Sequence, residues 1–299
     1  MSTVASHPVT GNPPPAAPGR ASGRHLAGLL LVALGPTAVS VALDALSRAG
    51  HPVPGERVAD VVLRLISIFA ATVWLVLLTR PSAWWRSLLL TALSSTALIA
   101  EAALLTHPGA RPVAVAGVTG LVAWLALVLV SRTGLTPRQL LERPTPGISE
   151  SRQLVTVALT VAIAVVTCLV VQAQMTAITD DPAGIYATAQ AKAVGITGPL
   201  TSVIAVLWSV VAEELLLVGA VTVLADRAGW AVGWIYLLSV GTRVALHGYL
   251  GWAALPTALL GVVFLLLYRR TGLLLLLIGV HAAADLRFDI AHLLDGLTR

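Results

Sequence analysis

Charge is scarce in this chain. Only 11% of its 299 residues are Asp, Glu, Lys or Arg, while 57% are hydrophobic; a soluble domain carries about 25% charge. With a mean hydropathy of +0.88, the chain falls in the membrane class, where length is a poor guide to domain number. Cysteine is nearly absent. Cys168 stands alone in an apolar run, which excludes an internal disulfide and a thiolate zinc cluster and leaves a buried, inert thiol. A basic stripe is lacking too. The net charge is +5, but the arginines fall mostly between apolar runs, so they read as topology markers rather than a nucleic-acid surface. No internal repeat of the transporter kind is visible. No signal peptide is expected, because the first apolar run starts late and is one of many.

What the chain has is long apolar runs. A helix crossing a bilayer core of about 30 Å needs about 20 residues. Spans are expected at 26–46, 58–79, 87–106, 113–131, 154–173, 199–224, 230–248, 253–269 and 273–294. Lipid cannot satisfy a free backbone, so these are helices. The fold class is therefore all-α, a polytopic transmembrane bundle of eight to nine spans. Residues 1–24, rich in Pro, Gly, Ser and Ala, form a disordered tail. Residues 25–153 form an N-terminal transmembrane region with a basic loop, and 154–299 a C-terminal transmembrane region that holds the candidate site. With the N-terminus inside, eleven arginines fall on the cytoplasmic side and six basic residues outside, so a cytoplasmic N-terminus in a multi-pass cell-membrane protein is expected. In the basic loop, Thr136-Pro137 caps a short helix through Leu141. Asp180-Asp181-Pro182 reads as a turn.

Against this apolar background the polar residues stand out. One ionised acid at the bilayer centre costs about 2.5–3.5 kcal/mol on insertion scales, yet "SVVAEELLLVGAV" holds two, Glu213 and Glu214. Neighbours on a helix point about 100° apart, so one serves a site while the other bonds an adjacent helix. "GTRVALHGYLG" places Arg243 and His247 four apart on one face, and "GVHAAADLR" does the same for His281 and Asp285. Together these six residues form one candidate cluster. Other charges read as structural: Asp60 and Arg64 form an i,i+4 pair, and Glu101 meets Arg64 across helices. Trp84, Trp85, Trp230 and Trp234 suit an interfacial belt.

The order of these motifs resembles the CAAX protease and bacteriocin-processing family, which includes the type II CAAX prenyl endopeptidases, polytopic intramembrane proteases. The family pattern is Glu-Glu-x-x-x-Arg, then Phe-x-x-x-His, then His-x-x-x-Asn or Asp. "EELLLVG", "RVALHGYLG" and "YRRTGLLLLLIGVHAAAD" carry the likeness over about residues 195 to 290, with an echo in "GLTPRQLLERP". Val218 stands where the family has Arg, and Arg243 where it has Phe.

The resemblance implies that Glu213 is the general base, that His247 helps hold the water, and that His281 and Asp285 form the oxyanion pair. Arg243 is expected to replace the missing arginine and hold Glu214, leaving Glu213 to the water. No cofactor is favoured. A zinc ion on His247, His281 and Asp285, with Glu213 as base, is the metalloprotease alternative. The implied partners are membrane lipids and a membrane-associated peptide or protein substrate. Two non-protease readings stay open: an inactive family member acting as a scaffold or immunity protein, and a proton-coupled transporter.

Overall fold

The computed structural model describes residues 20–48, 51, 54–79, 84–107, 110–142, 150–179 and 199–297. Most of the expected tail, and the Asp180-Asp181-Pro182 turn, lie outside these. The described chain is helical throughout, with one isolated bridge between Glu142 and Leu273. Each of the nine apolar runs forms a helix. Four make the N-terminal part: α1 (Arg20–Arg48), α2 (Glu56–Thr79), α3 (Trp84–Ala103) and α4 (Arg111–Ser131). The short α5 (Pro137–Leu141) follows, then α6 (Glu150–Thr179). The next run is α7 (Pro199–Glu213), a π segment (Glu214–Ala220) and α8 (Val221–Arg227). The chain ends with α9 (Val232–Leu246), a 3-10 segment (Gly248–Ala254), α10 (Thr257–Thr271) and α11 (Leu274–Leu297). α1 starts at Arg20, so the last residues assigned to the tail are helical.

Five helices are long and apolar enough to cross a membrane: Val58–Thr79, Val113–Ser131, Ser151–Ile178, Val206–Arg227 and Leu250–Thr271. The structure thus supports a multi-pass membrane protein, with fewer certified spans than the eight to nine expected. α2 shows why lipid is the solvent. Val62, Ile66, Phe69, Val73 and Val76 are all exposed along one stripe; in water such a patch is a liability, whereas in hydrocarbon it costs nothing.

α4 is apolar on every side because it is enclosed. It packs on α2 and α3 on one side and on α7 and the π segment on the other. Gly117 is required at that approach, since a Cβ there would stand 2.7 Å from Ala97 Cβ and 2.9 Å from its Cα. The small loop helix α5 is locked by a capping box between Thr136 and Gln139. Its Leu140 is fully buried, and Tyr268 donates to the Leu140 carbonyl at 3.0 Å.

α9 is shorter than the expected 230–248. It stops at Leu246 with His247 as its C-cap, and Gly251 in the following segment takes φ 61°. A run of glycines, Gly248 and Gly251, makes that break cheap, as helix interiors disfavour Gly. One end of the bundle gathers the C-termini of α2, α4, α8 and α10. There Arg132 bonds the Leu78 carbonyl, and Arg269 bonds Asp226 at 2.8 Å. Trp84, Trp85, Trp230 and Trp234 are exposed near helix starts, as an interfacial belt requires.

Candidate active site

The site is built where a helix changes register. Glu213 is the last residue of α7 and Glu214 the first of the π segment, whose seven residues are all buried. A π turn holds more residues than an α turn and is frequent at functional sites. Ser239 of α9 donates to the Leu217 carbonyl inside this segment at 2.8 Å. Gly219 keeps the segment tight against its neighbours, because a Cβ there would lie 2.7 Å from Leu274 Cδ2.

The two carboxylates are unequal. Glu214 is fully buried, and a single oxygen, Oε1, accepts from Arg243 Nη2 at 2.8 Å and from His281 Nδ1 at 2.7 Å. Glu213 keeps 22% of its side chain exposed, and its Oε2 faces Arg243 Nη1 at 3.7 Å. Arg243 is fully buried between them. Gly261 of α10 packs beside its stem, where a Cβ would meet Arg243 Cδ at an ordinary contact distance of 3.5 Å. Such a buried guanidinium is tolerable only with partners, and removing one leaves a stranded charge.

His281 and Asp285 extend the cluster along α11. His281 Nε2 lies 3.5 Å from Asp285 Oδ2, and Phe264 holds the ring edge-on at 5.9 Å. Asp285 is within electrostatic reach of Glu213 and His247 as well. His247 donates from Nδ1 to the Arg243 carbonyl at 2.9 Å. That carbonyl can only accept, so Nδ1 carries a proton. The structure therefore brings Glu213, Glu214, Arg243, His281 and Asp285 into one chain of contacts, with His247 tied to it through the Arg243 backbone.

These groups sit seven to fifteen residues along the chain from the helix ends that Arg227, Val232 and Leu274 mark, with Arg243 and His247 at the opposite end of α9, beside Leu246. The zinc alternative finds no support. Among the described residues no three His, Cys, Asp or Glu side chains are placed to hold a metal ion. The mechanism proposed below therefore gives His247, His281 and Asp285 no ligand role.

Several supporting residues escaped the sequence reading. Ser239, Arg243 and His247 share one α9 face at four-residue spacing, a signal that was present for Ser239. Gln172 of α6 donates to the Ala284 carbonyl at 3.2 Å and accepts from Arg287 at 2.8 Å, so it braces α11 beside Asp285; nothing local marks it. Away from the site, Arg64 bonds Asp60 at 3.2 Å and stands 3.6 Å from buried Glu101, as expected of structural pairs.

Residues 196–287 match the family model described as Type II CAAX prenyl endopeptidase Rce1-like. No curated protein and no solved structure matches the chain. The matched stretch runs from just before α7 to two residues past Asp285, and contains all six candidate residues. The likeness to the type II CAAX prenyl endopeptidases thus rests on residues 196–287, the C-terminal region that builds the cluster.

Proposed function

We propose that this chain is an intramembrane endopeptidase, hydrolysing a peptide bond of a membrane-associated protein or peptide with a water activated by Glu213. One observation carries the reading: of two adjacent carboxylates, Glu214 is sealed by Arg243 and His281, whereas Glu213 remains partly open and lacks a close partner. A base must reach its substrate proton, and a carboxylate saturated by two donors is poorly suited to that task.

In this mechanism Glu213 takes a proton from water as the water oxygen attacks the scissile carbonyl carbon. The oxyanion that forms is stabilised by His281, which in its doubly protonated form donates Nδ1–H to Glu214 and Nε2–H toward the reacting oxygen. Asp285, whose Oδ2 lies 3.5 Å from Nε2, supports the positive charge on that ring. Protonated Glu213 then gives its proton to the leaving nitrogen as the C–N bond breaks, which restores the carboxylate. General-base action of this kind contributes roughly 10²–10⁴-fold.

The arginine distribution supports a cell-membrane protein with a cytoplasmic N-terminus. Eight to nine spans result if α1, α3, α9 and α11 cross with the five longer apolar segments. The rival reading, a non-catalytic member serving as scaffold or immunity protein, draws on Val218 in the family's arginine position. The test is direct. Purified protein in liposomes is incubated with membrane-anchored peptides, and new termini are sought by mass spectrometry. Defined cleavage products are the expected result; intact peptides throughout favour the scaffold.

A further inference from the structure

Four polar atoms at the centre of the cluster have no hydrogen-bond partner among the described residues: Glu213 Oε2, Glu214 Oε2, Arg243 Nε and Arg243 Nη1, all buried. Two of them face each other. Nη1 and Glu213 Oε2 are 3.7 Å apart, well beyond the roughly 2.7–2.9 Å of a direct charge-assisted bond. The other arm of Arg243, Nη2, is meanwhile engaged with Glu214 at 2.8 Å. Buried donors and acceptors are paired in the great majority of proteins. A donor and an acceptor that face one another unpaired therefore define the seat of a small ligand that can both accept and donate. A peptide carbonyl only accepts, so it suits Nη1 and is repelled by Oε2. An ammonium suits Oε2 and is repelled by Nη1. Water suits both.

We propose that Arg243 is a catalytic residue in its own right: it holds the attacking water jointly with Glu213. This rests on Glu213 as the base. Arg243 Nη1–H donates to the water oxygen, and the water donates to Glu213 Oε2. In the attack one water O–H bond breaks, its proton passes to Oε2, and the oxygen uses its remaining lone pair to form the bond to the carbonyl carbon. Nη1 fixes the direction of that lone pair while Nη2 keeps Glu214 in place. The two arms of one planar guanidinium are what the double task needs. A lysine has a single nitrogen, and seated on Glu214 it is displaced from the water.

The experiment compares wild type, Arg243→Lys and Glu213→Gln for peptide cleavage and thermal stability, and adds a high-resolution structure of the wild type. Arg243→Lys should lower kcat about tenfold or more with KM nearly unchanged, as expected for a group acting on the transition state, while its Tm stays within about 4 °C. If the lysine variant does not fold, Arg243→Gln combined with Glu214→Gln, which removes both buried charges together, is read the same way against Glu214→Gln alone. The structure should show ordered water within about 3.2 Å of both Nη1 and Oε2. Wild-type kcat in the Arg243 variants, or direct closure of Nη1 onto Oε2, overturns the proposal. If Glu213→Gln cleaves at the wild-type rate, the base assignment itself fails. If only the Arg243 variants do, Glu213 stands as base and the shared water is wrong.

Discussion

A single guanidinium on α9 answers for two carboxylates on the neighbouring helix, and the site's division of labour follows from how it is shared. Glu214 takes the close contact and Glu213 the distant one. Removing the close partner should be costly. Arg243→Phe strands buried Glu214 and is expected to destabilise by about 3–5 kcal/mol, read as a lower Tm in detergent. Adding Val218→Arg returns a cation one turn from Glu214 on its own helix and should recover at least half of that loss. A double variant no more stable than Arg243→Phe would show that the two positions are not interchangeable. Much of this was legible at the residue level. Two acids in an apolar run must differ, because helix neighbours diverge by about 100°. Which acid is sealed was not legible, since that depends on where α9 and α11 dock. Spacing correctly placed Arg243 and His247 on one face, yet His247 bonds the Arg243 backbone rather than its side chain, and a side-chain pattern cannot reveal a carbonyl that accepts from both the backbone and the ring of the capping residue.

At the scale of elements, the apolar runs could be read directly because lipid permits so few alternatives to a helix. All nine are helical, with ends shifted by a few residues; α3 stops at Ala103 and α9 at Leu246, short of the expected 106 and 248. The π segment could not be read. Its sequence, Glu214–Ala220, is ordinary in composition, and its hydrogen-bond register is decided by packing against Leu140, Leu274 and Ser239. The α3–α4 contact gives a prediction of its own. Gly117→Ala drives a methyl into the Ala97 backbone, which cannot rotate away as a side-chain tip can. Helix separation of this kind should cost about 1–3 kcal/mol, visible as a lower Tm with the cleavage site itself intact. In contrast, Gly233→Ala, where a Cβ meets nothing within 4 Å, should leave Tm unchanged or slightly raised. Equal effects at both positions would contradict the close packing of α3 and α4.

For the whole molecule, the proposed orientation can be tested at the two ends of the bundle. α5 lies at the end where Arg132 and Arg269 cluster, and Trp252, 79% exposed, follows the opposite end of α9. With Cys168→Ala as background, Arg138→Cys should resist a membrane-impermeant maleimide applied to intact cells, and Trp252→Cys should react; the reverse pattern would invert the topology. The central claim concerns the division of labour between the two carboxylates, and one comparison reaches it most directly: Glu213→Gln and Glu214→Gln, made side by side and measured for both Tm and cleavage of a membrane-anchored peptide. Glutamine keeps the size of each side chain and removes its charge. The account predicts that Glu213→Gln keeps a Tm within about 4 °C of wild type while cleavage falls by about 10²-fold or more, and that Glu214→Gln loses stability as well as activity. A Glu213→Gln protein that cleaves at the wild-type rate would contradict it.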